Sequence, residues 1–275
     1  MANMGDWAGR VGEEWADKAE ALDRLLGPYG AVGLDALGDV TGKRVLDLGC
    51  GAGATSIALA ERGAFATGVD VSEALLDVAR TRDPEMRCAF VLGDAAEVEY
   101  ARRFDALYSR CGAMFFDDPV PAFRHMRAYL RDEAPLSIVA WTAPKFNEWA
   151  SLPIELARPI LGPAQSSLSP TGVPGPFAWA DEATFKPILA RAGFGRIEAT
   201  RMAMSAPVGA GDYADPVERA AHFCMRIGPL ASRLRQVAPE ARADIKAALI
   251  AGLSSLPQDG DVLMGGEAWV ITATA

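Results

Sequence analysis

Two rhythms of apolar and polar residues alternate along this chain. Short apolar runs occur at 44–48, 64–70, 87–92, 104–109 and 136–141, the first three stopping at an acid or a glycine. Such runs predict strands covered on both faces, and the three-and-four spacing of apolar residues between them predicts the covering helices. Runs at 196–202 and 267–273 predict a sixth and a last strand. Helices are expected at 55–62, closed by Gly63, and at 73–82, capped by Ser72. Further helices are expected at 119–130 after Asp118-Pro119, at 148–161, and up to Ala192 between Asp181 and Gly193. Two more, at 215–236 and 239–256, are amphipathic. Upstream, Trp15, Ala19, Leu22, Leu25 and Leu26 keep helical spacing, and 32–37 predicts a second helix. Strands alternating with helices predict an α/β fold around a parallel sheet.

The first strand runs into Gly49, Gly51 and Gly53. Glycine at alternate positions lets the chain turn sharply and lets a ligand approach where a β-carbon would clash. A strand, glycine turn and helix form the opening unit of a nucleotide-binding sheet. Asp47 stands two residues before the first glycine, where it would repel a pyrophosphate and welcome a cationic group. Whether it touches the ligand or anchors the loop is open. Asp70 ends the second strand about 20 residues on, where an acid can take ribose hydroxyls. Gly93-Asp94-Ala95 ends the third strand, where an acid can accept an adenine amine.

Val45-Leu46-Asp47-Leu48-Gly49-Cys50-Gly51-Ala52-Gly53, Gly68-Val69-Asp70-Val71-Ser72, Gly93-Asp94-Ala95 and Phe104-Asp105, followed by 109–119, share order and spacing with one family. Over about residues 40–145 the chain resembles the class I S-adenosylmethionine-dependent methyltransferases, in the small-molecule branch that includes the ubiquinone/menaquinone enzymes. The resemblance implies a Rossmann-like seven-stranded sheet with helices on both faces, its last strand antiparallel between the fifth and sixth. It implies S-adenosylmethionine as cofactor, with contacts from Asp47, Gly49, Cys50, Gly51, Gly53, Asp70, Val71, Leu75, Asp94, Ala95, Ser109 and Arg110. Leu75 fits an adenine face or plain core equally, and Arg110 fits a cofactor contact or a salt bridge. The family's glycine turn before the fifth strand is replaced here by residues 131–135.

Residues 1–40 are expected to form a helical cap on a methyltransferase domain at 41–275. Seven prolines from Pro144 to Pro176 make 143–180 a covering segment, and a helical insertion is expected at about 205–260. Trp15, Met114, Phe115, Trp141, Asn147 and Trp149 are candidate walls of an apolar acceptor pocket, since a sulfonium favours aromatic faces and water must be excluded. No catalytic residue is legible. His125 and His222 are weak candidates for a base, and no cluster has metal-ligand spacing.

A net charge of −9 argues against nucleic acid. The four cysteines lack metal spacing and, with no apolar leader or membrane-length run, suggest a cytoplasmic protein. A homodimer is left open. The expected function is methyl transfer to oxygen, nitrogen or carbon of a small molecule. The rivals are a nicotinamide-dependent oxidoreductase, for which no tyrosine has a lysine four residues on, and an inactive cofactor-binding partner subunit.

Overall fold

The computed structural model describes residues 4–162 and 171–275. The part of the expected covering segment at 163–170, and residues 1–3 of the expected cap, lie outside the described residues.

Each apolar run becomes a strand: β1 (Arg44–Leu48), β2 (Phe65–Asp70), β3 (Ala89–Leu92), β4 (Ala106–Arg110) and β5 (Pro135–Trp141). They are parallel, and with β6 (Gly195–Val208) and β8 (Asp261–Thr274) the order is β3-β2-β1-β4-β5-β8-β6. The two-residue β7 (Gln258–Asp259) turns into β8. As expected, β8 runs antiparallel between β5 and β6. Both β6 and β8 are far longer than the runs that announced them. Their extensions hold small residues (Ala203, Ser205, Gly265, Gly266) among larger ones, which dilutes the apolar signal.

Neighbouring residues of one strand enter different cores. Val45, Ala106 and Tyr108 pack with Leu34, Leu37 and Leu59, whereas Leu46, Leu48 and Leu107 face the larger cluster. Burying one such leucine contributes about 1.5–3 kcal/mol, which is why these strands read as solid apolar runs. Cover comes from α4 (Ala54–Glu61), α5 (Glu73–Arg82) and α6 (Pro119–Ala128), from α7 (Glu148–Leu161), and from α8 (Glu182–Ala192). The Ser72 and Asp181 side chains cap α5 and α8 as expected; the Asp118 side chain makes no capping bond.

The amino-terminal region differs most from expectation. After α1 (Met4–Ala8) and α2 (Arg10–Asp17), a single helix α3 (Ala19–Leu37) carries Pro28 inside it. A proline there costs about 3 kcal/mol, and packing outweighs it. Leu22, Leu25, Leu26 and Tyr29 are buried in the main core. A β-carbon at Gly33 would lie 2.4 Å from Val139 Cγ2, so this helix presses directly on the sheet. It is part of the fold's core as much as a cap.

The insertion after β6 holds three helices where the sequence suggested two: α9 (Pro216–Arg226), α10 (Pro229–Leu234) and α11 (Pro239–Leu253). Gly228, at φ +86°, and Pro229 break the first pair.

Candidate active site

Strand order reverses between β1 and β4, and in such sheets the crevice beyond the carboxyl ends of those strands takes the ligand. Here the two ends meet closely: a β-carbon on Gly49 would lie 2.8 Å from Gly112 Cα. Ser109, fully buried, fixes this junction by donating to Leu48 O at 2.9 Å and accepting from Ala113 N at 3.2 Å.

Asp70 knits the loops after β1 and β2. Its Oδ2 accepts from Gly51 N at 2.8 Å and its Oδ1 from Ser72 N at 2.9 Å. Burial raises its carboxyl above the usual range, against the pull of these amides. Asp47 lies beneath the loop, wholly buried. Its Oδ2 accepts from Thr55 Oγ1 at 2.6 Å and Ser56 Oγ at 2.7 Å, at the start of α4. Burial raises this carboxyl too, although both hydroxyls and Arg110 oppose the shift.

A cavity of about 940 Å³, counted to its open mouth, lies over these strand ends. Gly49, Cys50, Gly51, Asp70, Val71, Leu75, Ala95 and Arg110 line it. The remaining expected contacts sit elsewhere. Asp47 anchors the loop from below, and its Oδ1 has no hydrogen-bond partner among the described residues. Gly53 is turned toward Ala79 and Phe90. Ser109 is spent on the β1–β4 junction. The Asp94 carboxylate accepts from Ala96 N at 2.8 Å to form its own turn, which leaves Gly93 and Ala95 at the wall.

Sequence reasoning missed Asp23 on α3. It pairs with Arg82 at 2.6 Å and with Arg110 at 3.4 Å, tying the amino-terminal helix to α5 and β4 across the cavity. Arg110 is therefore both a lining residue and an ion-pair partner.

A second cavity, about 1370 Å³, adjoins the first. Trp7, Trp15, Leu22, Leu26, Cys111 and Phe115 line both. The Trp7 ring stands edge-on 4.9 Å from Trp15 and 5.0 Å from Phe115, an aromatic partition between the two spaces. Cys111 takes the left-handed conformation at φ +65°, a strain of about 1–3 kcal/mol that brings it to the junction. Burial pushes its thiol up to about 12, so it is neutral and no nucleophile at pH 7.

Met114, Trp141 and Trp149 wall the second space, together with Phe177 and the 226–235 segment. Asn147 does not reach it. Its amide donates to Thr142 O and Ala143 O and accepts from Glu267 N, a strut between α7 and β8. His125 bonds Val98 O on the outer face of α6, and His222 contacts Tyr213; neither lines either cavity. Leu22, Leu26 and Phe177 had no signal beyond apolar spacing. Among the described residues there is no group of three that could hold a metal ion.

A mixed sheet of this order, with a glycine-floored, acid-bearing crevice at its switch point, is the fold of the class I S-adenosylmethionine-dependent methyltransferases. Residues 45–133 match the family model described as Methyltransferase domain. Among similar proteins, the magnesium-protoporphyrin O-methyltransferase of Rhodobacter capsulatus is 39% identical over 84 residues, 30% of this chain and 37% of that one. A ubiquinone biosynthesis O-methyltransferase of Pseudomonas aeruginosa is 33% identical over 118 residues, 41% of this chain and 50% of that one. The chain thus aligns with about a third to a half of these relatives' length. The fold extends further. Phosphoethanolamine N-methyltransferase 2 of Haemonchus contortus, solved with S-adenosyl-L-methionine, superposes over 100% of this chain and 60% of that one, with a TM-score of 0.58 and 18% identity. The cyclase SpnF superposes over 99% and 97%, with a TM-score of 0.53 and 18% identity.

Proposed function

We propose that this protein transfers a methyl group from S-adenosylmethionine to an apolar small molecule. The observation that carries the reading is the pair of adjoining cavities, one glycine-floored over the strand ends and one aromatic, with a shared partition of Trp7, Trp15 and Phe115.

The residues of the first cavity fit the cofactor. A β-carbon on Gly51 would meet nothing within 4 Å, so the loop leaves open space where a ligand can lie against the backbone. Asp70 stands where ribose hydroxyls would need an acceptor, and Leu75 and Ala95 offer an apolar slot for the base. Arg110 and Asp23 offer a cation and an anion to the two charges of an amino-acid end. When bound, S-adenosylmethionine supplies a methyl group already activated by its sulfonium charge.

The chain's own work is therefore alignment and water exclusion. Trp7, Trp15 and Phe115 give a cation-tolerant apolar face at the boundary. Glu14 supplies the carboxylate among the side chains that line the second cavity. The acceptor atom must otherwise bring its own lone pair, as an ionised phenol, a thiolate, a neutral amine or an acidic carbon does. This reading includes a cap at 1–40, a covering segment at 143–180 and an insertion at 205–260 around one catalytic domain. A cytoplasmic setting is supported by four unpaired thiols, and no helix among the described residues is long and apolar enough to cross a membrane.

Calorimetry with S-adenosylhomocysteine and with NADH tests the cofactor, and release of S-adenosylhomocysteine over a panel of phenols, quinols, thiols and amines tests the transfer. Association of NADH without S-adenosylhomocysteine would reverse the assignment. Cofactor binding without turnover on any acceptor class would favour a non-methylating use of the same fold.

A further inference from the structure

The second cavity is apolar within and cationic at its rim. Its charged lining consists of Arg226, Arg233, Arg235 and Glu14, three cations to one anion, in a chain whose net charge is −9. The three arginines come from one short segment around the break between α9 and α10. Arg226 and Arg235 are exposed and make no ion pair within 4 Å among the described residues, whereas Arg233 is half-buried. Such a concentration against the overall charge makes a local attraction for an anion.

The rim adjoins an aromatic wall. Trp149 stacks on Phe177 with centroids 5.8 Å apart and planes 23° apart, and it tilts over Trp141 at 5.2 Å. Gly228, within the arginine segment, lies so close that a β-carbon there would touch the Trp149 ring at 3.4 Å. Trp149 is 7% exposed, and its Nε1 has no hydrogen-bond partner among the described residues. A buried donor left unpaired is destabilising, and a ligand oxygen would relieve it.

We infer that the acceptor is a planar, apolar ring molecule bearing a carboxylate, with its rings on Trp141, Trp149 and Phe177 and the carboxylate among Arg226, Arg233 and Arg235. The inference rests on the reading that this cavity holds the acceptor. Guanidinium groups suit the assignment because their fork matches the two carboxylate oxygens. The aromatic wall suits it because flat rings bury a large area at little entropic cost. The exposed setting of two arginines keeps each contribution modest, since water and salt screen them.

The test compares 2-naphthoate with its neutral isostere 2-naphthamide, by calorimetry on the full chain saturated with S-adenosylhomocysteine. We expect naphthoate to bind about tenfold more tightly at low salt, which corresponds to about 1.4 kcal/mol, and to lose most of that advantage in 0.5 M sodium chloride. The double variant Arg226→Gln, Arg235→Gln should erase the preference while its melting temperature and its affinity for S-adenosylhomocysteine stay those of the parent. Equal binding of acid and amide, binding of neither, or a preference that survives the double variant would overturn the inference. Failure of S-adenosylhomocysteine itself to bind would instead remove the functional reading beneath it.

Discussion

Two glycines of the loop after β1 separate what the fold needs from what a ligand needs. Gly51 and Gly53 both hold left-handed dihedrals, at φ +53° and +81°. Alanine at either position carries a strain of about 1–2 kcal/mol. Their surroundings differ. A β-carbon on Gly51 meets no protein atom within 4 Å and opens toward the cavity that Gly51 lines. A β-carbon on Gly53 would sit 2.7 Å from Ala79 Cβ and 3.1 Å from Phe90 Cζ, so α5 or the loop must shift. Overpacking of that kind adds about 1–3 kcal/mol. Gly51→Ala should therefore lose about 1–2 kcal/mol and Gly53→Ala about 2–5 kcal/mol. At about 2–4 °C per kcal/mol for a chain of this size, the melting point of the first falls by a few degrees and that of the second by about 4–20 °C.

Cofactor affinity should run the other way. In Gly51→Ala a methyl group occupies the space where a ligand lies against the backbone, and we expect S-adenosylhomocysteine to bind at least tenfold more weakly, at least about 1.4 kcal/mol. Gly53→Ala acts at a distance and should keep affinity within about threefold, or about 0.7 kcal/mol, when measured well below its melting point. Scanning calorimetry without ligand and titration calorimetry at 15 °C give the two columns. Equal melting points, or a larger affinity loss in Gly53→Ala than in Gly51→Ala, would refute the assignment of Gly51 to the ligand and Gly53 to packing.

Asp70→Asn should weaken S-adenosylhomocysteine binding about tenfold, about 1.4 kcal/mol, by titration calorimetry, with the larger share of the loss above the acid's raised pKa, where the parent is ionised. Because burial also holds the Asp47 carboxyl high, the unfolded chain releases that proton first. Its stabilising contribution is present below the ordinary carboxylate range and is lost as pH rises through the folded value, so Asp47→Asn should flatten this part of a stability-versus-pH curve. His222 is shifted the opposite way, lowered by burial and by Lys18, Arg226 and Lys246. It binds protons more readily when unfolded, so stability falls as pH drops below about 6.5, and His222→Asn should remove that slope in urea titrations. Arg219 joins Asp261 at 2.7 Å and Tyr213 O at 2.6 Å, so Arg219→Met should speed hydrogen exchange across α9 while β1 and β4 keep their protection.

How far the sequence reveals such a site depends on how many distant segments each part of it needs. The loop over β1 is local: turn, close approach and cap must be encoded within ten residues, so 44–63 names its own geometry. Position along a motif is a weaker guide to which atom faces the ligand. Asp94 is spent on its own turn while Ala95 reaches the wall, and Ser109 closes a backbone junction instead of touching the cavity. The second cavity draws on α1, α2, α3, the turn after β4, the end of β5, α7, residues 175–177 and the 226–235 segment. No single segment shows that convergence, because a tryptophan in a wall and a tryptophan in a core have the same neighbours in sequence. Asn147 illustrates the cost of reading polarity alone: a polar residue in an apolar lid suggests a pocket, yet all its bonds go to the backbone of Thr142, Ala143 and Glu267. The unused indole donors at the cavities belong to Trp7 and Trp149. Function at this edge of the sheet is thus set by which polar atoms the packing leaves unsatisfied, and packing is a property of contacts far apart in the chain.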